Sequence, residues 1–399
     1  MKTADIITLH PGKQHNFEQV EQLLHYFPSV KHITSLAVSK EALKKYRFLP
    51  KKILTELDKR SVTPEVALHT DAYPWQELIY KYKRISGQSL PYSFFKNRNR
   101  RFQQSILKKY TPPRIFIGFD TSSELIFEAW KDQSTLILDL TIAIPQYKRK
   151  LAVDYQLSAE ALHNLTDGDE LWYLTYEKEL NLADYILCGS QFVKDSCLYL
   201  GVPESKLKVI PYGANLKKFV PSKVPFQRND QPFKVAFVGN VSYRKGADIL
   251  LGAWAVIVEK YKNVELHFYG NLQIDLAGFN LTNVFFHGFV PQDQLIQELS
   301  ESHVSILPTF FEGSSYAIYQ SMALGLGVIT TPNCGSVING VDNGMLIEYG
   351  SGKQISDALN YMIEQKEIRL SMSEKAMQDI KEYSWDAYGV KLQNFIASL

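Results

Sequence analysis

The chain has no run of 18 apolar residues, and Met1 to Ala4 leads straight into the strand-like Asp5–Leu9 with no charged-then-apolar leader. These absences argue against a helical membrane span. They make a cytoplasmic protein the expectation, peripheral to the inner face of a membrane at most. Cysteine is scarce: Cys188, Cys197 and Cys334 are odd in number and lack metal-ligand spacing, which leaves packing thiols in a reducing compartment and no metal. There is no repeat of solenoid period and no low-complexity tract. The first glycine turn, His10-Pro-Gly-Lys-Gln-His15, lacks G-x-G-x-x-G, so a dinucleotide fingerprint and a dehydrogenase are not supported. Acid is missing altogether between Leu78 and Phe119, where ten basic residues interleave with aromatics such as Tyr80, Tyr92, Phe94 and Phe102. The first 150 residues carry 25 Lys and Arg against 14 Asp and Glu, an asymmetry hidden by the total of +2. Segment 78–119 thus has three readings: a face for an anionic membrane, a face for a polyanionic acceptor, or a solvated surface over core aromatics.

What is present is a length of 399 residues, 45% of them hydrophobic, enough for two domains with separate cores. Asp5–Leu9 reads as a strand, followed by a glycine turn and a helix with Phe17, Val20, Leu23, Leu24 and Phe27 at helical spacing. Residues 30–110 carry weak signals, among them candidate helices at 40–46 and 77–85. From Arg114 strands at 115–118, 135–138, 185–188 and 207–210 alternate with helices, which predicts a doubly wound parallel sheet. Residues 213–232 are polar, hold three prolines and show neither period, so they read as a linker. A second α/β series follows to the tail helices. We expect a first domain of residues 1–212 plus 386–399 and a second of residues 213–385, facing across a cleft.

Within the second series, Leu307–Gly327 passes from a short strand through a proline and small-residue turn into a helical pattern. Such a strand-turn-helix corner presents backbone N–H groups and the positive end of a helix dipole, here with Glu312 beside them. A ligand combining phosphate and hydroxyl groups is the natural guess. Asp167-Gly-Asp169 has D-x-D spacing, but it lies in an acidic turn between helical stretches and reads as surface.

Taken in order, Ala183-Asp184, Gly201-Val-Pro-Glu, Val209-Ile-Pro-Tyr-Gly, Gly239-Asn240 with Arg244-Lys245-Gly246, Gly288-Phe289-Val290, and Glu312-Gly313 with Gln320 eight residues on resemble one family. It is the retaining family-4 glycosyltransferases of GT-B architecture. The likeness covers residues 180–385, and His10-Pro-Gly-Lys-Gln-His15 is similar to one bacterial branch. The resemblance implies two Rossmann-like doubly wound domains, with a nucleotide sugar held mainly by the second and the acceptor by the first. It implies transfer of a hexose from UDP- or GDP-sugar, with retention, to a saccharide or lipid-linked acceptor in surface polysaccharide or glycoconjugate synthesis. No metal, cofactor or nucleic acid is implied. A degenerate protein that binds nucleotide or glycan without turnover is the alternative.

The same resemblance assigns roles. Lys245, with Arg244 beside it, matches the basic pair on the diphosphate, and Asn240 stands where an Arg is usual. Glu312 matches the carboxylate on the donor sugar, while Gln320 stands where a second Glu takes the ribose. Gly288, Phe289 and Val290 frame the base, and Gly313, Ser314 and Ser315 bring backbone donors to the phosphates. Ile144 occupies the place of a first-domain histidine. His10, Gly12, Lys13 and His15 lie in the facing turn, where the two imidazoles either contact ligand or pack the turn. The residue types suit the chemistry, since a glycosyl phosphate leaves as an anion and fixed cationic and N–H donors stabilise that charge.

Overall fold

In a computed structural model, residues 1–46, 48, 51–75, 77–79, 92–158, 161–162, 165, 170–222 and 232–399 are described. The D-x-D triplet and most of the predicted 77–85 helix lie outside them. The strands are β1 Ile6–His10, β2 Val30–Thr34, β3 Val38–Ser39, β4 Ser61–Val62, β5 Thr70–Ala72, β6 Ile115–Phe119, β7 Thr135–Leu140, β8 Tyr185–Cys188, β9 Leu207–Val209, β10 Phe233–Val238, β11 Val264–Tyr269, β12 Val284–Gly288, β13 Val304–Leu307, β14 Gly327–Thr330 and β15 Met345–Leu346.

They form two parallel sheets. The first has the spatial order β5-β2-β1-β6-β7-β8-β9, the second β12-β11-β10-β13-β14-β15, and β3 pairs with β4. Central strands are buried on both faces, which is why β1 (IITLH) and β10 (FKVAFV) are nearly continuous apolar runs rather than alternating ones. Strand order reverses between β1 and β6 in the first sheet and between β10 and β13 in the second. In open α/β sheets the crevice at such a reversal, outside the carboxyl ends of the strands, is where ligands bind. The loops that meet there are 11–15 and 120–123 on one side, and 239–246 and 308–315 on the other.

The helix Trp385–Ala397 is capped by Ser384 and sends Tyr388, Leu392 and Ile396 into the core formed with Ile6, Leu23 and Ile137 of the first sheet. The tail therefore returns to the first unit. The stretch expected to be a plain linker is partly structured: the Ala214 amide donates to Tyr383 O at 2.7 Å, and Ala214 and Phe219 enter the second core. Periodicity missed this because Ala214 and Phe219, five positions apart, make no pattern. Strands β2 and β5 and the helices Tyr92–Leu107, Gln146–Asp154 and Glu170–Leu182 also went unread. Val-Lys-His-Ile-Thr and Thr-Asp-Ala are stabilised by sheet neighbours rather than by their own sequence.

Candidate functional site

At the second reversal, β10 ends at Val238 and a 3₁₀ turn, Tyr243–Lys245, precedes the helix Ala247–Lys260. Gly246 joins them at φ +71, and a Cβ there would lie 2.1 Å from Pro308 O. Only glycine fits so close an approach. This seats the turn against the loop after β13: Phe310 N donates to Arg244 O at 2.8 Å and Thr309 Oγ1 to the same oxygen at 3.0 Å. Arg244 returns a hydrogen bond from Nη1 to Phe311 O at 2.6 Å.

The consequence is a cluster of three charges. Glu312 Oε1 lies 2.8 Å from Arg244 Nη1 and 3.1 Å from Lys245 Nζ. Burial pushes the Glu312 carboxyl up, but Lys245 and Arg244 outweigh it and hold the group below the usual carboxylate range. The stem of Lys245 runs beside Gly239, at φ +128, where a Cβ would meet Nζ at 2.7 Å. Beyond Glu312, the helix Tyr316–Ala323 starts at Ser315 with no side-chain cap. The amides of Ser314 and Ser315 donate to no backbone acceptor among the described residues. They stand at and just before the helix N-cap, where backbone donors and the positive end of the helix dipole face an anion.

The predicted positions fall into groups. Arg244, Lys245 and Glu312 touch one another, and Gly313, Ser314 and Ser315 continue from them into the helix. Asn240 is exposed in the same loop. Gly288 closes β12 and bridges Gly270, which itself packs on Gly239 O, so the Gly288–Val290 loop shares the carboxyl edge of the sheet. Phe289 is 67% exposed, with Lys59 of the first unit 5.4 Å from its ring centre. Gln320 is half-buried on the helix. Ile144 is fully buried in the first core, with its amide donating to Ser196 Oγ, so its side chain offers the cleft nothing.

Across the cleft, Gly12 N donates to His10 Nδ1 at 2.9 Å, and the His10 ring lies 3.8 Å from that of Phe119. His15 Nε2 lies 2.7 Å from Asp139 Oδ2, an oxygen that also accepts from Gln19 Nε2 at 2.9 Å. Both imidazoles are buried, and burial pushes the His10 ring well below its ordinary value. His15 stacks on Tyr212 at 4.0 Å, and Tyr212 stacks on Tyr316 at 6.0 Å. His10 thus packs within its own turn and against Phe119, while His15 packs against Asp139 and Tyr212. Lys13 is exposed.

Several residues were not anticipated. Ser190 Oγ donates to Gly313 O at 2.5 Å and Tyr155 OH to Asn333 Oδ1 at 3.1 Å, both from one unit to the other. Asn333 supports the loop from behind, donating from Nδ2 to Phe310 O and accepting from Glu312 N at its own carbonyl. Asp139 at the end of a strand was the signal available for the His15 contact. Its partner, 124 positions away, was not legible.

Comparison with solved structures shows sucrose-phosphate synthase from Thermosynechococcus elongatus at a TM-score of 0.65 and 15% identity, over 98% of each chain. Anabaena HepE in complex with UDP gives 0.63 and 14%, over 99% of this chain and 100% of that one. The fold is GT-B. Within the GT-B frame, residues 232–365 match the family model described as Glycosyl transferases group 1. A D-inositol 3-phosphate glycosyltransferase of Corynebacterium jeikeium is 23% identical over 274 residues, 61% of this chain and 65% of that protein. The chain thus spans less than two thirds of the length of the curated relatives it matches first. The family match lies on the second GT-B unit, which holds Arg244, Lys245 and Glu312.

Proposed function

We propose that the protein is a retaining glycosyltransferase that moves a hexose from a UDP- or GDP-sugar to a saccharide or lipid-linked acceptor in surface polysaccharide or glycoconjugate synthesis. The observation that carries the reading is the charge cluster: two cations and a carboxylate, 2.8 and 3.1 Å apart, at the strand-order reversal beside free helix N-terminal amides. A diphosphate entering there meets Arg244, Lys245 and the Ser314 and Ser315 amides as fixed donors, while Glu312 is released toward sugar hydroxyls. Negative charge then develops on the leaving diphosphate against donors already in place, which costs no reorganisation during bond breaking. The base lies along Gly288–Val290 and the ribose near Gln320. The acceptor enters from the side of His10, Gly12, Lys13 and His15, with no metal, cofactor or nucleic acid taking part. The domain division proposed is 1–212 plus 386–399 against 213–385.

The reading includes a cytoplasmic location and contact of segment 78–119 with the anionic inner face of a membrane. Exposed Trp75 and Leu78 adjoin its start, while the exposed positions of the helix Tyr92–Leu107 include Arg100 and Arg101. No helix among the described residues is long and apolar enough to cross a membrane. Equal flotation with neutral and anionic liposomes would remove the membrane contact from the proposal.

A thermal-shift panel of UDP, GDP, ADP and their sugars tests the donor. At least one nucleotide is expected to raise the melting temperature, and a panel without effect sinks the assignment. Lys245→Ala is expected to lower turnover by roughly 100- to 1000-fold. Glu312→Ala is expected to abolish turnover with the fold intact, and retained activity in either variant contradicts the roles. Nucleotide binding with no transfer or hydrolysis would favour the non-catalytic alternative.

A further inference from the structure

A cavity of about 530 Å³ opens beside the cleft, walled by the helix Asn16–Tyr26, residues 61–66, and the two passages of the chain between units at 214–217 and 384–386. Nothing in the donor or acceptor roles above uses it. We propose that this cavity binds a neutral saccharide ring, a sugar unit of the acceptor distant from the reacting hydroxyl. The proposal rests on the glycosyl-transfer reading for the word acceptor and on the cavity itself for the word saccharide.

The lining selects the ligand class. Three carboxylates, Glu18, Glu21 and Asp386, face the same space as two amines, Lys40 and Lys217. With the His25 imidazole also on the wall, the lining carries no excess of positive charge that would select a phosphate. Among the described residues no group of three or more metal-binding side chains is arranged to hold a metal ion. Acceptors and donors mixed on one wall suit hydroxyl groups, which both donate and accept. Trp385 adds an aromatic, apolar surface to the same lining, held in place by Tyr388 at 5.3 Å and Tyr316 at 6.2 Å. A pyranose has this dual character, an apolar C–H face and a hydroxyl rim. The volume falls within the range of about 300–1,000 Å³ typical of small-molecule sites.

Glu18 makes the strongest case. Its Oε2 is buried with no hydrogen-bond partner. Buried polar atoms are seldom left unpaired, and one that lacks a partner asks for an explanation such as a bound group. Burial pushes its carboxyl above the usual range, and two donating hydroxyls would reverse that. Glu18 also links the cavity to the cleft. It interacts electrostatically with Lys13 and His15 of the acceptor-side turn and with Tyr316 at the start of the donor-side helix. Because both chain crossings form its walls, a bound ring would brace the two units at one angle.

The test is saturation-transfer NMR on the whole chain with sucrose, maltose and chitobiose as probes, each repeated on Glu18→Gln and Trp385→Ala. At least one disaccharide is expected to receive saturation from the wild type, and each variant to weaken that binding about tenfold, the loss of a hydrogen bond to a charged acceptor in the case of Glu18. No transfer to any of the three, or equal transfer to wild type and Glu18→Gln, overturns the proposal. If Trp385→Ala does not fold, Glu18→Gln decides alone. UDP titrated into the same samples separates the two readings. Saccharide binding without UDP binding keeps the cavity and sinks the donor assignment, and UDP binding without saccharide does the reverse.

Discussion

Glu312 is paired with both cations that a diphosphate would use, so a nucleotide must displace a carboxylate rather than fill a bare positive site. In the proposed reading the sugar takes over Glu312, so a sugar nucleotide is expected to bind more tightly than the bare nucleotide. Gln320 belongs to the same scale. A hydrogen bond to a charged acceptor contributes about 1.5–3 kcal/mol and a neutral one about 0.5–1.5. Gln320→Glu is therefore expected to tighten a nucleotide about tenfold by calorimetry, and unchanged affinity would show that the side chain does not reach the ribose. Glu179 offers a pH prediction. It accepts from the amides of Thr121, Ser123 and Glu124 at 2.6, 2.7 and 3.1 Å, yet burial pushes its carboxyl up to about 8. A raised folded value means that the native state binds the extra proton. Its contribution is full below the ordinary glutamate range and is lost as pH rises through about 8. Urea midpoints of the wild type should fall over that interval, and Glu179→Gln should flatten the fall.

At the scale of elements, the site depends on two loops that touch through backbone. The 239–246 turn and the 308–315 loop meet at Gly246, where positive φ and the 2.1 Å approach to Pro308 O both forbid a side chain. Gly246→Ala is expected to destabilise the second unit by about 1–3 kcal/mol, the range for backbone held in a sparsely populated region, and to weaken nucleotide binding. A chemical-denaturation curve matching the wild type would show that the loop relaxes without cost. The helix Tyr316–Ala323 was legible as a corner because a proline, small residues and then Ala, Met and Leu follow an apolar strand. The helix Tyr92–Leu107 was not, because charged and aromatic residues alternate along it without a clean period, and the first core selects its inward face through Phe102 and Ile106.

For the whole molecule, the two units share buried apolar contacts, with Phe310, Phe311 and Tyr349 packed into the core of the first sheet. Gly313 lies so close to the first unit that a Cβ would stand 1.8 Å from Thr141 O, and Ser190 reaches over to Gly313 O. Gly313→Ala should prop the cleft open. Solution scattering is expected to show a larger radius of gyration with little change in the melting temperature, and an unchanged radius would show that the contact absorbs the methyl group. Tyr212 stacked between His15 and Tyr316 makes a further bridge, built from residues 15, 212 and 316 of three separate segments.

The sequence by itself determined the architecture and the order of motifs. Alternation of apolar runs with helical patterns is a local property, Glu312 stands out in its strand-turn-helix corner, and Arg244, Lys245, Gly246 and Gly313 stand out through the family motifs they resemble. It could also show that Gln320 and Ile144 depart from the pattern they resemble. Only the tertiary structure decided that Glu312 pairs with both Arg244 and Lys245, that His15 is held by Asp139, and that a carboxylate-lined cavity lies between the two chain crossings. Each of these is a contact between residues tens to hundreds of positions apart. Their energies depend on burial and distance, quantities that exist only once the two sheets have formed and met.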